Sequence, residues 1–494
     1  MHIALLNPQG NFDPLDSRWT EHPDFGGQLV YVKEIARSLA SLGHTVDILT
    51  RRIIDSEWPE FRSEFDHYPG ADGVRIVRIA CGPDRFLPKE QLWPYLGTEW
   101  VPNIIDFYKK ETSLPEVYSS HYSDGGLAAV LLSQRLNTPI TFTGHSLSAQ
   151  KIDKLHITTG NLSQMDKRFA FSLRLTAERL VMSHADRIIT STHQERAHQY
   201  GHRAYAGAVD VENAGKFAVV PPGVNIEIFT DTPGSLDPVI EKRIRSYLHK
   251  DIKSSRQTLP MILASSRLDA KKNLTGLVQS FGQDKQLQVK SNLAIVIRGV
   301  EDPFQDASAL SKAERTILDK IKSLVEEYSL SGKITAFPLN SQQELAAAYR
   351  VLSQTKSVFV LPALYEPFGL APLEAMSCGL PAVVTRNGGP SESMLEGDRV
   401  FAELIDPEDT ADISRGILAV LESEKKWQQY CEAGKERVLG KYTWQQTGRG
   451  YEEIFLAILE AGHQPGRLSV PLWFSDTLAE DKPGLEELQA LDIV

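Results

Sequence analysis

Cysteine is nearly missing from this sequence. Cys81, Cys378 and Cys431 are the only three in 494 residues, and none stands at metal-ligand or redox spacing. So sparse and odd a set suits buried thiols in a reducing cytoplasm rather than a disulfide framework. Long apolar runs are also missing. None approaches the roughly 20 residues that would span a bilayer, so no membrane association is expected. The opening segment MHIALLNPQG is too short, and too polar beyond Leu6, for a signal peptide, and it reads as a buried first strand. Positive charge is in deficit, with 53 Lys and Arg against 64 Asp and Glu, a net charge of -11. That balance excludes general nucleic-acid binding, and an anionic substrate would need a local cationic pocket. Internal repeats and low-complexity tracts are lacking too. The tail after His463, rich in proline and acidic residues, is expected to be partly loose.

The chain is too long for one hydrophobic core, so two domains are expected. Short β-branched runs alternate with amphipathic stretches. His2–Asn7, Val46–Thr50, Val74–Ile79, Val117–His121, Pro139–Thr143 and Arg187–Thr190 read as buried parallel strands. Gln28–Leu42 carries Leu29, Val32, Ile35, Ala36 and Leu39 at helical spacing, with Gly43 as the stop. The pattern pauses after a strand predicted over Val219–Val224 and a polar stretch, 232–258, expected to be linker and surface helix. It resumes with strands over Met261–Ser265, Leu293–Arg298, Lys333–Phe337, Val358–Leu361 and Ala382–Thr385. The predicted class is α/β, with two Rossmann-like domains. Residues 1–225 would form the first and 226–443 the second, with helices in 444–494 packing back on the first. Ligands of such sheets bind at the carboxyl ends of the strands, so chemistry is sought there.

Three motifs stand at those ends. Gly26-Gly27-Gln28 opens the first helix after a long loop that starts at Asn7-Pro8-Gln9-Gly10. Paired glycines at a helix start let backbone N–H groups approach an anion, although they equally permit a mere turn. Arg267 and Lys272 follow Met261–Ser265, where two fixed cations suit a diphosphate whose departure develops charge. The segment from Tyr365 to Gly379 follows Val358–Leu361. In it, Pro372 suits the first turn of a short helix that Gly379 ends. Backbone N–H groups near Gly369 and Leu370 offer a second anion site, and Glu366 and Glu374 suit the hydroxyls of a sugar and a ribose. No Asp-x-Asp element stands at a strand end, so no metal is called for. Mg is compatible with the site but not essential.

These motifs, the Arg-x4-Lys pair and the Glu-x7-Glu element, resemble the retaining glycosyltransferases of the two-Rossmann-domain GT-B class that contains sucrose-phosphate synthase and sucrose synthase. The likeness extends over His22–Gln28, Gly144-His145-Ser146-Leu147, Pro221–Val224 and Arg386–Pro390, and over Phe86-Leu87-Pro88-Lys89 and Trp93–Leu96. The resemblance implies that Arg267 and Lys272 hold the donor diphosphate and Glu374 the ribose. Glu366 would bind the transferred glucose, and His145 its 6-hydroxyl. By spacing alone, His145 reads as an ordinary core histidine. Gly26 and Gly27 would lie against the diphosphate and the acceptor. Retention implies front-face attack, with the oxocarbenium-like state stabilised electrostatically and no cofactor required.

The acceptor separates the members of the class, since fructose 6-phosphate differs from fructose by a dianion. Candidate cations are Lys89, Lys151, Lys154, Arg168, Arg174 and Arg179, with Gln28 beside them. Lys89 and Lys151 follow motifs shared with the phosphate-using enzymes. A single helix is predicted around Met165–Met182, with Phe169, Leu173, Ala177 and Leu180 as its buried stripe and Arg174 on its flank. Sucrose-phosphate synthases usually carry paired arginines where this chain has Leu173-Arg174. Sucrose synthases generally carry a long segment before the first strand, which this sequence does not show. The expected reaction is glucose transfer from UDP-glucose to fructose 6-phosphate, giving sucrose 6-phosphate. The alternatives are transfer to free fructose or to another sugar phosphate, and, in a different class, a non-catalytic two-domain sugar binder.

Overall fold

The computed structural model describes residues 1–19, 22 and 24–491, so Pro23 of the His22–Gln28 motif and residues 492–494 lie outside the described residues. The chain divides into two compact units. One is Met1–Pro221 with Thr447–Val494, and the other is Pro222–Gln446.

The first unit is built on eight strands: β1 (His2–Leu6), β2 (Thr45–Arg51), β3 (Phe65–Asp66), β4 (Val74–Ile79), β5 (Val117–His121), β6 (Ile140–Thr143), β7 (Arg187–Thr190) and β8 (Phe217–Val219). Their order is β3-β4-β2-β1-β5-β6-β7-β8, parallel throughout except for β3, which pairs antiparallel with β4. The chain runs one way from β1 to β2 and returns to place β5 on its other side. The carboxyl ends of β1 and β5 therefore flank the switch point, where sheets of this type bind ligands. Leu6 pairs with Ser120 there, and His121 with Thr143 of β6. The helix predicted over Gln28–Leu42 spans Gly27–Ser41 and buries Leu29, Val32, Ile35, Ala36 and Leu39, the stripe that its spacing called for.

The second unit carries β9 (Met261–Ser265), β10 (Asn292–Val296), β11 (Ile334–Phe337), β12 (Val358–Leu361), β13 (Ala382–Thr385), a hairpin of β14 (Leu395–Glu396) and β15 (Arg399–Val400), and β16 (Glu403–Ile405). The main sheet runs β11-β10-β9-β12-β13-β16, all parallel, with its switch point between β9 and β12. Successive side chains of β12 alternate between two cores. Val358 and Val360 pack with Ile262 and Val383 on one face, and Phe359 and Leu361 with Leu263 and Val384 on the other. Burial on both faces explains why these strands read as continuous apolar runs.

Three expectations need correction. The strand predicted over Val219–Val224 is instead β8, Phe217–Val219, because two consecutive prolines cannot donate to a ladder. The helix predicted around Met165–Met182 is two helices, Leu162–Phe169 and Phe171–His184, broken at Ala170 with φ 50°. An alanine in the left-handed region ends the first helix and redirects the second, so Phe169 does not continue the stripe of Leu173, Ala177 and Leu180. Over its described residues the tail is anchored by packing at several points rather than loose. Trp473, Phe474 and Leu488 join the first unit's core, and Asp481 accepts from the N–H groups of Leu472 and Trp473 at 2.6 and 2.9 Å. Its apolar residues are too few and too scattered for periodicity to detect them.

Candidate active site

In the second unit, the residues implied for the donor come from loops leaving β9 and β12. After β9 the chain turns tightly over Ala270–Lys272, and Asp269 caps this turn by accepting from the Lys271 N–H at 3.0 Å. Asn273 then adopts φ 52°, and its side-chain amide donates to the Pro407 carbonyl at 2.7 Å. The loop is thus fixed at both ends, and Lys272 has one aim. Its ammonium donates to Glu366 Oε2 at 2.6 Å. Arg267 is exposed on the same loop.

Glu366 is held through its backbone. Its N–H donates to the Asn387 carbonyl at 3.0 Å, and its carbonyl accepts from the Gly389 N–H at 2.9 Å. Gly388 between them has φ 100°, and a Cβ there would collide with the Glu366 carbonyl. Only glycine fits so close an approach in the left-handed region. This accounts for the glycine pair in Arg386–Pro390, whose apparent role is to seat Glu366. Gly369, with φ 93°, is the cap of the helix Leu370–Ser377, so Leu370 is its first residue and Pro372 its third. Glu374 lies farther along, and burial pushes its carboxyl up to about 7. Hydroxyl donors from a ribose would favour its ionised form.

In the first unit, Gly26 caps the helix Gly27–Ser41 and Gly27 is its first residue. Added at Gly27, a Cβ would meet nothing within 4 Å, whereas at Gly10 it would press on the Asp24 carbonyl at 2.9 Å and Leu29 at 3.0 Å. The Asn7–Gly10 loop therefore packs behind the helix start and Gly27 faces open space. Gln28 donates to the Asp24 carbonyl at 3.4 Å.

His145 follows β6 at the centre of a tight turn closed by the Ser146 N–H on the Gly144 carbonyl at 2.6 Å, with φ 55°. That backbone is strained for a residue with a Cβ, and such strain gathers at functional positions. Its ring lies edge to edge with His121, with centroids 5.2 Å apart and planes within 27°, and meets Tyr31 at 5.0 Å in a T-shaped contact. Burial holds His145 down to about 4, so it is neutral at physiological pH.

The acceptor candidates divide. Lys151 feels the charges of Arg174, Lys89 and Arg168. Lys89 pairs with Asp24 Oδ1 at 2.9 Å. Burial alone would pull Lys89 down, but the Asp24 charge outweighs it and leaves the ammonium above its ordinary range. Lys151 forms no ion pair among the described residues, and the charge of Glu90 opposes its shift only in part. Lys151 lies over the Phe169 ring at 3.8 Å, and burial, together with the charges of Arg174 and Lys89, lowers it to about 8. Arg174 is not on a helix flank but buried. Its Nε meets Glu178 Oε1 at 3.1 Å, its Nη2 donates to the Ser146 carbonyl at 2.6 Å, and it lies over Tyr122 at 4.6 Å. Arg179 instead donates to the carbonyls of Ala204 and Ala206.

Several residues escaped the sequence reading. His121 and Asp124 sit where β5 ends, fully buried, and burial raises the Asp124 carboxyl to about 7. The polar run His121-Tyr122-Ser123-Asp124, beginning on the last residue of a buried strand, was the available signal. Glu178, inside a helix, left none. Among the described residues, no group of three or more His, Cys, Asp or Glu could hold a metal ion, and no helix is long and apolar enough to cross a membrane.

Comparison with known proteins agrees with this organisation. Residues 26–213 match the family described as glycosyl transferase 4-like domain, and residues 248–437 match glycosyl transferases group 1. A probable sucrose-phosphate synthase of Thermosipho melanesiensis is 42% identical over 453 residues, covering 91% of this chain and 95% of that protein. Probable sucrose-phosphate synthase 1 of Oryza sativa subsp. indica is 33% identical over 553 residues, covering 100% of this chain but 48% of its own length. The chain thus spans about half of that plant relative. The solved sucrose-phosphate synthase of Thermosynechococcus elongatus superposes with a TM-score of 0.63 at 24% identity, covering 94% of this chain and 100% of that one. That likeness establishes the fold class as GT-B.

Proposed function

Because this chain belongs to the sucrose-phosphate synthase family of retaining glycosyltransferases, we propose that it moves glucose from UDP-glucose to fructose 6-phosphate, releasing UDP and sucrose 6-phosphate. In this reading Arg267 and Lys272 offset the charge that develops on the departing diphosphate, aided by backbone N–H groups at Gly26, Gly27, Gly369 and Leu370. Glu374 accepts from the ribose hydroxyls and Glu366 from the glucose. A leaving phosphate oxygen takes the acceptor proton. Fixed cations meet the leaving-group charge, so the reading calls for no resident cofactor. The three free thiols fit a reducing cytoplasm.

The observation that carries the phosphate acceptor is Lys151, a cation beside Lys89 and Arg174, lowered to about 8 by burial and by their charges. Gathering cations against their own repulsion costs free energy, and a bound dianion offsets that cost. Incubation with UDP-glucose and each sugar, with UDP release as the readout, is expected to give higher kcat/KM for fructose 6-phosphate than for fructose. Equal or better turnover of free fructose removes the assignment.

The same lysine makes the acceptor step pH-dependent. Below about 8 Lys151 is an ammonium, and above it the site loses one positive charge. A sugar phosphate, with its second ionisation near pH 6, stays dianionic throughout that range. The KM for fructose 6-phosphate is therefore expected to rise as pH climbs through about 8 and to stay level in Lys151→Met. A flat wild-type profile between about pH 7 and 9 would rule out Lys151 as the titrating contact.

A further inference from the structure

Two neutral imidazoles in direct contact must share a proton in a defined direction. His121 Nδ1 and His145 Nε2 are 3.0 Å apart. Burial holds both rings below the ordinary histidine range, so one nitrogen donates and the other accepts. The remaining nitrogen of His121, Nε2, is buried without a hydrogen-bond partner among the described residues. An N–H left unpaired in such a place is rarer and costlier than an unpaired acceptor. The His121 proton therefore belongs on Nδ1, with Nε2 bare. His145 Nε2 is then the acceptor, and the His145 proton is on Nδ1.

We propose that His121 is a positioning residue for His145: its Nδ1–H donates to His145 Nε2 and holds His145 in the tautomer that offers Nδ1–H to the transferred sugar. This rests on the proposed glucosyl transfer, taken with the contact between His145 and the 6-hydroxyl of the glucose that the family resemblance implies. The surroundings leave the ring little choice of pose. His121 lies edge to edge with it at an interplanar angle of 27°, as an in-plane hydrogen bond requires, Tyr31 meets it at 78°, and the Tyr31 hydroxyl is tied to Tyr451 at 3.1 Å, which in turn reaches Thr143 at 2.8 Å. Strand register supplies the rest, since His121 pairs with Thr143 and His145 follows two residues later. A fixed donor selects for a hydroxyl oxygen with a free lone pair and needs no reorganisation as charge develops on the sugar.

Ring nitrogen chemical shifts of the 15N-labelled full chain near neutral pH are expected to show both histidines protonated on Nδ1. An Nε2–H on His121 overturns the proposal. In activity, His121→Leu should lower kcat on the order of tenfold or more while the KM for UDP-glucose stays within about twofold. His121→Asn places an amide donor where Nδ1 stood and should recover most of the loss. Equal impairment of the two variants, both with unaltered circular dichroism, counts against positioning. Should His121→Leu fail to fold, the wild-type shifts and His121→Asn still decide. Absence of glucosyl transfer in the unaltered protein would count against the proposed function alone, and the tautomers would remain readable.

Discussion

Lys272→Ala is expected to lower kcat by roughly 10²-fold or more, the usual cost of losing one fixed charge at a developing anion. UDP affinity should fall less than kcat, because the interaction strengthens as the diphosphate departs. The 2.6 Å pair with Glu366 adds a complication that spacing could not reveal. Removing the lysine also frees a carboxylate whose side chain is 14% exposed, so part of the loss could run through Glu366. A double-mutant cycle separates the two routes. If Lys272 acts on the leaving group directly, Lys272→Ala with Glu366→Gln should be far slower than Glu366→Gln alone. If Lys272 merely orients Glu366, the double variant should match the single one. Near-normal kcat in Lys272→Ala would remove it from the chemistry.

Much of the candidate site in the second unit was legible because the cues are local. Arg267, Lys272 and Glu366 leave the ends of strands that are themselves continuous apolar runs, and Gly369 and Pro372 punctuate a short helix. What spacing cannot carry is the partner brought from far along the chain. Glu366 is seated by Asn387 and Gly389, and the role of the glycine pair there shows only when the Glu366 carbonyl is seen against Gly388. The first unit was harder for the same reason. His121 and His145 lie on neighbouring strands, and neither suggests the other. The break at Ala170 was hidden because alanine is the strongest helix former, and only tertiary packing overrides that preference.

Arg174 shows how burial changes the meaning of a test. As an exposed acceptor ligand, Arg174→Ala should raise only the KM for the sugar phosphate. As found, its guanidinium is one of four donors on the buried Glu178 carboxylate, with the Ser148 N–H at 3.0 Å, the Ser148 hydroxyl at 2.9 Å and the Tyr205 hydroxyl at 2.5 Å. Removing the cation leaves a buried charge without its counter-ion, at an expected cost of about 3–5 kcal/mol. Burial already raises Glu178 above the ordinary glutamate range, with Arg174 opposing, and loss of Arg174 raises it further. A raised carboxyl favours the folded state below its unfolded value, about 4.3, and loses that advantage as pH climbs through the folded value. The destabilisation of Arg174→Ala should therefore shrink as pH falls from 8 toward about 4.3, read as the difference in urea midpoint from the wild type. Adding Glu178→Gln should restore part of the stability at pH 8, because the uncompensated charge is gone. A variant as stable as wild type at both pH values would mean that the pair is effectively solvated, and Arg174 would then be free to serve the acceptor phosphate in the way proposed for Lys89 and Lys151.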